Sequence, residues 1–284
     1  MCGVRGSTPA PGAEFVRYGG HTSCLVFAHD GERPSLIVDA GTGIRRASDL
    51  FGASEGLFNG SPFDGAILLS HLHWDHAMGL PFFAAGNSVG SRVDLYVPAQ
   101  IDTEDHTEEI VGQLMSPPHF PIAPAGLLGA WQFLPLETGE TKIEGFSVVA
   151  LEIPHIGGRT FGYRISDGRS SVAYLSDHCP TRLGKGPDGL GEYHDSALTL
   201  SSECDLLFHD AQYLDEELDE RARFGHAACG YAVRLASAAV ARRVMLFHHD
   251  PVRTDQEIDS VVARYQGGPV PVEAAAVGMV IDLP

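Results

Sequence analysis

Short aliphatic runs alternate with stretches of helical spacing along the chain. The runs at 24–28, 36–39, 66–71, 93–97, 146–153, 160–165, 171–177, 205–210, 244–248 and 274–283 read as strands, being rich in β-branched and aliphatic residues. Helices are expected at about 103–115, 226–241 and 254–265, the last opening on Thr254-Asp255-Gln256-Glu257, the arrangement of a capping box. The alternation predicts an α/β fold. Two Gly/Pro-rich pieces, 116–129 and 183–191, read as long surface loops rather than linkers, because strand patterns resume beyond each. Residues 1–284 are therefore read as one domain.

The apolar runs end in a regular way. LIVD stops at Asp39, ILLSH at His71, LEIPH at His155, VAYLSD at Asp177, LLFHD at Asp210 and VMLFH at His248. One such ending is an ordinary turn residue. Six together predict a site, since α/β folds gather their chemistry at one end of the sheet on loops held by a rigid scaffold.

Composition narrows the setting. With 284 residues and 44% hydrophobic content the chain can build a substantial core. It has no run of about 20 apolar residues, the length needed to cross a bilayer, and MCGVRGSTPAPG lacks an apolar signal region, so no membrane partner and a cytoplasmic location are expected. The five cysteines, Cys2, Cys24, Cys179, Cys204 and Cys229, form no C-x-x-C pair and are expected as free thiols. The formal net charge of −18 excludes a broad basic footprint for nucleic acid, so a nucleic-acid substrate would have to be short or held by a local metal site.

The densest chemistry lies in LLSHLHWDHAMGLP, residues 68–81. In an extended segment residues i and i+2 face the same way, so His71 and His73 can share one cation while Leu72 turns into packing. If the chain turns toward helix next, Asp75 and His76 can face a second. Imidazole and carboxylate donors suit zinc, with manganese or iron as alternatives.

The run His71, His73, Asp75, His76 resembles the signature of the metallo-β-lactamase fold superfamily of metal-dependent hydrolases. The likeness continues along the chain. His155 in IPHIGGRTFGYRI is similar to the next ligand of that family, Asp177 in VAYLSDH to its bridging carboxylate, and His248 in VMLFHHDP to its final ligand. DLLFHDAQY followed by FGHAACGYAVRLA resembles the paired HEAT and GHST segments of the phosphodiesterase branch, with cyclic-nucleotide and tRNase Z-like members. Two departures stand out: Asp210 replaces the glutamate of HEAT, and His21 stands where related sequences usually show asparagine.

The resemblance implies an αββα sandwich, two mixed β-sheets flanked by helices. It assigns His71, His73 and His155 to one metal, Asp75, His76 and His248 to another, and Asp177 to both. His249 competes with His248, and His178 is read as a surface histidine pointing away from the site. Asp39 is either a carboxylate holding a ligand histidine or a turn aspartate. His226 with Asp210 is read as an orienter and general-acid pair, the alternative being a histidine that caps the following helix.

The function expected is hydrolysis of a cyclic nucleotide or other small phosphodiester by a hydroxide shared between two divalent ions, with Asp75 orienting the water. Lactone or thioester hydrolysis, and a non-hydrolytic iron, redox or regulatory role, are the rivals. A structured tRNA is disfavoured, because only 22 positions separate His155 from Asp177 and leave no room for the basic arm of the tRNA-processing branch. The loop 114–121, stiffened by prolines, is a candidate pocket wall for base stacking. A homodimer is expected only by analogy with the superfamily.

Overall fold

A computed structural model describes residues 1–52, 61–100 and 106–284. Twelve strands are found among them: β1 (Leu25–Phe27), β2 (Leu36–Val38), β3 (Asp64–Leu68), β4 (Arg92–Pro98), β5 (Ala130–Leu136), β6 (Gly139–Ile143), β7 (Phe146–Glu152), β8 (Phe161–Ser166), β9 (Ser171–Leu175), β10 (Leu206–Asp210), β11 (Val244–Phe247) and β12 (Val272–Ala274). The α-helices are α1 (Ile44–Ala47), α2 (Trp74–Ala77), α3 (Thr107–Leu114), α4 (Asp195–Ser201), α5 (Leu218–Arg221), α6 (Cys229–Ala238) and α7 (Asp255–Arg264). The strands form a five-stranded sheet in the order β1-β2-β3-β4-β5 and a seven-stranded sheet in the order β12-β11-β10-β9-β8-β7-β6. Both are mixed. β2 to β5 run parallel, as do β9 to β12, while β1 and β6 to β8 pair antiparallel.

The twofold side-chain period of the strands sorts the apolar residues into layers. Leu36, Val38, Ala66 and Leu68 from one sheet meet Val172, Tyr174, Phe208, Met245 and Phe247 from the other, forming the core between the sheets. The intervening residues face outward. Ile37, Ile67, Val93 and Leu95 pack with Ile44, Ala47 and Val111 under α1 and α3, and Ala173, Leu175, Leu207 and Leu246 pack with Leu200, Tyr231, Leu235 and Val261 under α4, α6 and α7. The result is the expected four-layer αββα arrangement. Strands buried on both faces lose the polar alternation of a half-exposed strand, which is why β9, β10 and β11 are entirely buried and read as continuous apolar runs.

The differences from expectation lie at edges and ends. β5 and β6 were not anticipated. β5 contains Pro135, which argues against a strand although an edge position tolerates it, and β6 (GETKI) has little apolar content. The expected strand 274–283 shrinks to β12, yet Val277, Met279, Ile281 and Leu283 still pack on the inter-sheet core, so their alternation records burial without a strand partner. Of the helix expected at 103–115, Thr107–Leu114 is observed, and 103–105 lie outside the described residues. The helix expected from 226 begins at Cys229, with Ala228 at its N-cap. Thr254 and Glu257 form the anticipated capping box of α7. All five cysteines are free and buried. Among the described residues no helix is long and apolar enough to cross a membrane.

Candidate metal centre

The parallel strands deliver their polar endings to one edge of the sandwich. Asp39 follows β2, the 70–76 segment follows β3, His155 follows β7, Asp177 follows β9, Asp210 closes β10 and His248 follows β11. Register aligns these ends: Val38 pairs with Leu68, Leu175 with His209, and Asp210 with Phe247. Asp39 and His248 both adopt left-handed backbone, with φ of 60° and 57°, which turns the chain sharply as it leaves each strand.

Three clusters of donors result; one, Asp210, His226 and His248, overlaps another through His248, and the remaining two share Asp177. His71, His73, His155 and Asp177 form one, and Asp75, His76, His248 and Asp177 form the other. Asp177 divides its oxygens between them. Its Oδ2 lies 3.7 Å from His71 Nε2 and 3.4 Å from His155 Nε2, while its Oδ1 lies 2.9 Å from His76 Nε2 and 3.1 Å from His248 Nε2. Asp75 Oδ2 stands 3.2 Å from His76 Nε2 and 3.1 Å from His248 Nε2.

The groups behind these donors fix which ring nitrogen faces inward. His76 donates from Nδ1 to Asp39 Oδ2 at 2.7 Å, His155 donates from Nδ1 to the Gly225 carbonyl at 2.7 Å, and His71 Nδ1 meets Ser70 Oγ at 3.1 Å. Asp39 is fully buried and also accepts from the Ser70 amide, Ser70 Oγ and Tyr174 OH. It is thus both of the things expected of it, a histidine holder and a turn aspartate. Ser70, Tyr174 and Gly225 were not anticipated as supports. Ser70 lay in view inside the ILLSH ending, but Tyr174 arrives from the opposite sheet and no local pattern announces it.

These residues fit a pair of cations. His71 Nε2 is buried without a hydrogen-bond partner, and Asp177 Oδ1 meets only the imidazole nitrogens of His76 and His248, so donor atoms converge on a common point. Burial pushes the His71 and His73 imidazoles below their ordinary range and His155 down to about 4, which keeps them neutral, the form that binds a metal. Burial acts against a charged His76 as well, but Asp177, Asp75 and Asp39 outweigh it and hold its pKa well above normal. A divalent ion would offset the same negative charge in place of the His76 proton.

His226 and Asp210 lie alongside. His226 donates from Nδ1 to Asp210 Oδ2 at 2.9 Å, and Asp210 also accepts from the amides of His178 and Gln212. Burial would depress the His226 pKa, but the Asp210 carboxylate reverses this and raises it to about 9. His226 precedes α6 and does not cap it. A cleft of about 350 Å³, lined by Ser7, Leu72, His73, Trp74, Asp75, Asp177 and His226, opens over the whole arrangement.

A third wall comes from the N-terminal loop. The Ser7 amide, at φ 59°, donates to Asp75 Oδ2 at 2.7 Å. Gly6 allows that approach, because a Cβ there would sit 2.4 Å from His248 Nδ1. The loop is anchored by backbone bonds from Val4 and Arg5 to the His21 carbonyl, an interaction indifferent to the side chain at 21.

Three expectations need correcting or resolving. His178 is fully buried rather than on the surface: its ring does point away from the donors, but that face of the sheet is covered by α6, and it packs on His209 and Tyr231. His249 turns from the site and donates from Nε2 to the Ala275 carbonyl. The 114–121 loop does not line the cleft; Phe120 instead packs edge-on against Phe82.

His249 has a consequence for stability. Burial lowers its pKa to about 3 from an ordinary 6.5, so between those values the unfolded chain binds more protons than the folded one. Stability is then fully present above pH 6.5 and falls on acidification through the window, by on the order of a few kcal/mol for this group. Denaturant unfolding from pH 7 to 4 should show a smaller loss in His249→Gln than in the parent.

A family model described as the beta-lactamase superfamily domain matches residues 35–249. The chain belongs to that superfamily. It is a metal-dependent hydrolase of the metallo-β-lactamase fold. A ribonuclease Z of Natronomonas pharaonis is 23% identical over 90% of this chain and 86% of its own length. A metallo-β-lactamase fold protein of Bacillus subtilis superposes with a TM-score of 0.67 at 20% identity, covering 98% of this chain and 96% of that one. The short form of human tRNase Z superposes with a TM-score of 0.66 at 21% identity, covering 100% and 98%. These relatives overturn the expectation that a structured tRNA is disfavoured. The short 155–177 spacing describes one tight β8–β9 hairpin of this superfamily member and says nothing of the surfaces that could grip RNA elsewhere.

Proposed function

We propose that this chain hydrolyses phosphodiester bonds in RNA at a two-cation centre, with His226 as general acid. The observation that carries the reading is the shared position of Asp177, one oxygen toward each donor group, with His226, backed by the buried Asp210, lining the same cleft. His71, His73 and His155 would hold one ion, Asp75, His76 and His248 the other, and Asp177 both. When bound, such ions lower the pKa of a water toward neutrality and offset the charge that grows on phosphorus during in-line attack. Zinc is the first choice on donor chemistry, with manganese or iron as alternatives.

The protein's own groups do the rest. Asp39, Ser70 and the Gly225 carbonyl fix the imidazoles in the tautomers that present the correct nitrogen. Asp75, held by the Ser7 amide, can orient the attacking water. As the P–O bond to the leaving group breaks, His226 delivers the proton from Nε2 to the departing oxygen, while Asp210 stabilises the imidazolium beforehand through Nδ1. Ribonuclease Z relatives over most of the chain favour RNA over a small cyclic nucleotide as the substrate.

Purified protein loaded separately with zinc, manganese and iron should be offered a tRNA precursor, short single-stranded RNA, 2′,3′- and 3′,5′-cyclic nucleotides, a bis-aryl phosphate and lactones. RNA cleavage that stops on chelation is expected. Lactone turnover with RNA left intact under every loading would refute the proposal.

A further inference from the structure

Trp74 is placed where no packing argument puts a tryptophan. It opens α2 between His73 and Asp75, and while Asp75, His76 and Ala77 are buried, its own side chain is 75% exposed on the cleft that also holds Asp177 and His226. The turn dictates this. The segment must aim 73, 75 and 76 at the donor groups, which leaves 74 on the solvent side, and the Met78 amide bonding back to the Trp74 carbonyl at 2.8 Å fixes the backbone. Among the described residues no aromatic ring or arginine stacks on its indole. The chain's other tryptophan, Trp131, is treated differently: its Nε1 donates to the Gly86 and Leu128 carbonyls and its ring stacks on Phe133.

An exposed indole gains little from the fold and presents a flat, polarisable face beside the reacting centre. The charge of the chain says what could use it. A protein of net charge −18 draws little binding from the phosphate backbone, whereas stacking of a base on an aromatic face is sequence-tolerant and independent of net charge. Stacking also requires an unpaired base, as in the single-stranded ends and loops where proteins usually read RNA.

We infer that Trp74 is the platform on which the base of the nucleotide next to the scissile phosphodiester stacks, so the substrate is single-stranded at the cleavage point. This deepens the RNA reading of the cleft and rests on it. Trp74 would be a specificity residue: it would hold the flanking nucleotide while His226 protonates the departing oxygen.

Two measurements on the metal-loaded enzyme test the inference and keep it separable from the proposed reaction. In steady-state cleavage of a short RNA, Trp74→Ala should raise KM about tenfold with kcat changed less than about twofold, and Trp74→Phe should recover most of the loss. An RNA with an abasic flanking nucleotide should show the same KM with parent and Trp74→Ala. Separately, a Trp131→Phe variant has Trp74 as its sole indole, and adenosine or cytidine 5′-monophosphate should quench its fluorescence saturably while ribose 5-phosphate should not. Saturable quenching without RNA cleavage would sustain the platform and remove the proposed reaction. RNA cleavage with unchanged KM in Trp74→Ala, or quenching that ribose 5-phosphate reproduces, would overturn the platform.

Discussion

Replacing Asp177 with alanine is expected to lower kcat by about a thousandfold or more and to leave the protein with one bound divalent ion or none. The carboxylate is buried, and each of its oxygens faces a different donor group. Its loss removes one donor from both groups at once and leaves His71, His76, His155 and His248 to surround the ions without the shared anion. Polarisation of the water and neutralisation of the phosphoryl charge would both weaken with fewer than two cations, and the charge stabilisation alone is worth several kcal/mol of barrier. Asp177→Asn keeps the volume and one oxygen but not the charge, so it should retain one ion and a small residue of activity. Metal content by plasma emission, read beside kcat on the same sample, checks both variants. Two ions retained by Asp177→Ala at normal affinity would contradict the shared role.

His226→Ala is expected to behave in the opposite way, keeping both ions and losing rate in proportion to how poor the leaving group is. The imidazole is paired to Asp210 at 2.9 Å, and that carboxylate holds it in the protonated form at neutral pH. A general acid of this kind contributes roughly 10²–10⁴-fold when the departing oxygen is a strongly basic alkoxide, and little when it is an activated aryl oxide that leaves unaided. Cleavage of RNA should therefore fall by about that factor, while a bis-aryl phosphate falls far less. Asp210→Asn should reproduce part of the effect by removing the charge that raises the His226 pKa. Equal slowing on both substrates would assign His226 to binding or positioning instead of proton delivery.

The legibility of this site in the sequence followed from its geometry. Donors at the ends of parallel strands are announced by the apolar runs that precede them, so His71, His155, Asp177, Asp210 and His248 stand at visible boundaries. The H-x-H-x-D-H run is legible because a strand end and the first turn of α2 place four polar groups within six positions. The supports were hidden for the converse reason. Tyr174 reaches Asp39 from 135 positions away and the Ser7 amide reaches Asp75 from 68, contacts created by packing the two sheets and the N-terminal loop together. His178 was misplaced because a strand pattern tells which face a side chain takes, but not whether a helix lies over that face. The edge strands β5 and β6 escaped notice because an edge requires less apolar content than a centre. The tRNA expectation failed by resting on a single spacing when substrate grip is a property of the whole surface.

Anomalous diffraction at the zinc absorption edge, from crystals of the zinc-loaded protein, tests the central claim most directly. The account predicts two peaks about 3.5–4 Å apart, one among His71, His73 and His155, the other among Asp75, His76 and His248, with an Asp177 oxygen on each. A single peak, or a pair that leaves Asp177 unliganded, would contradict it.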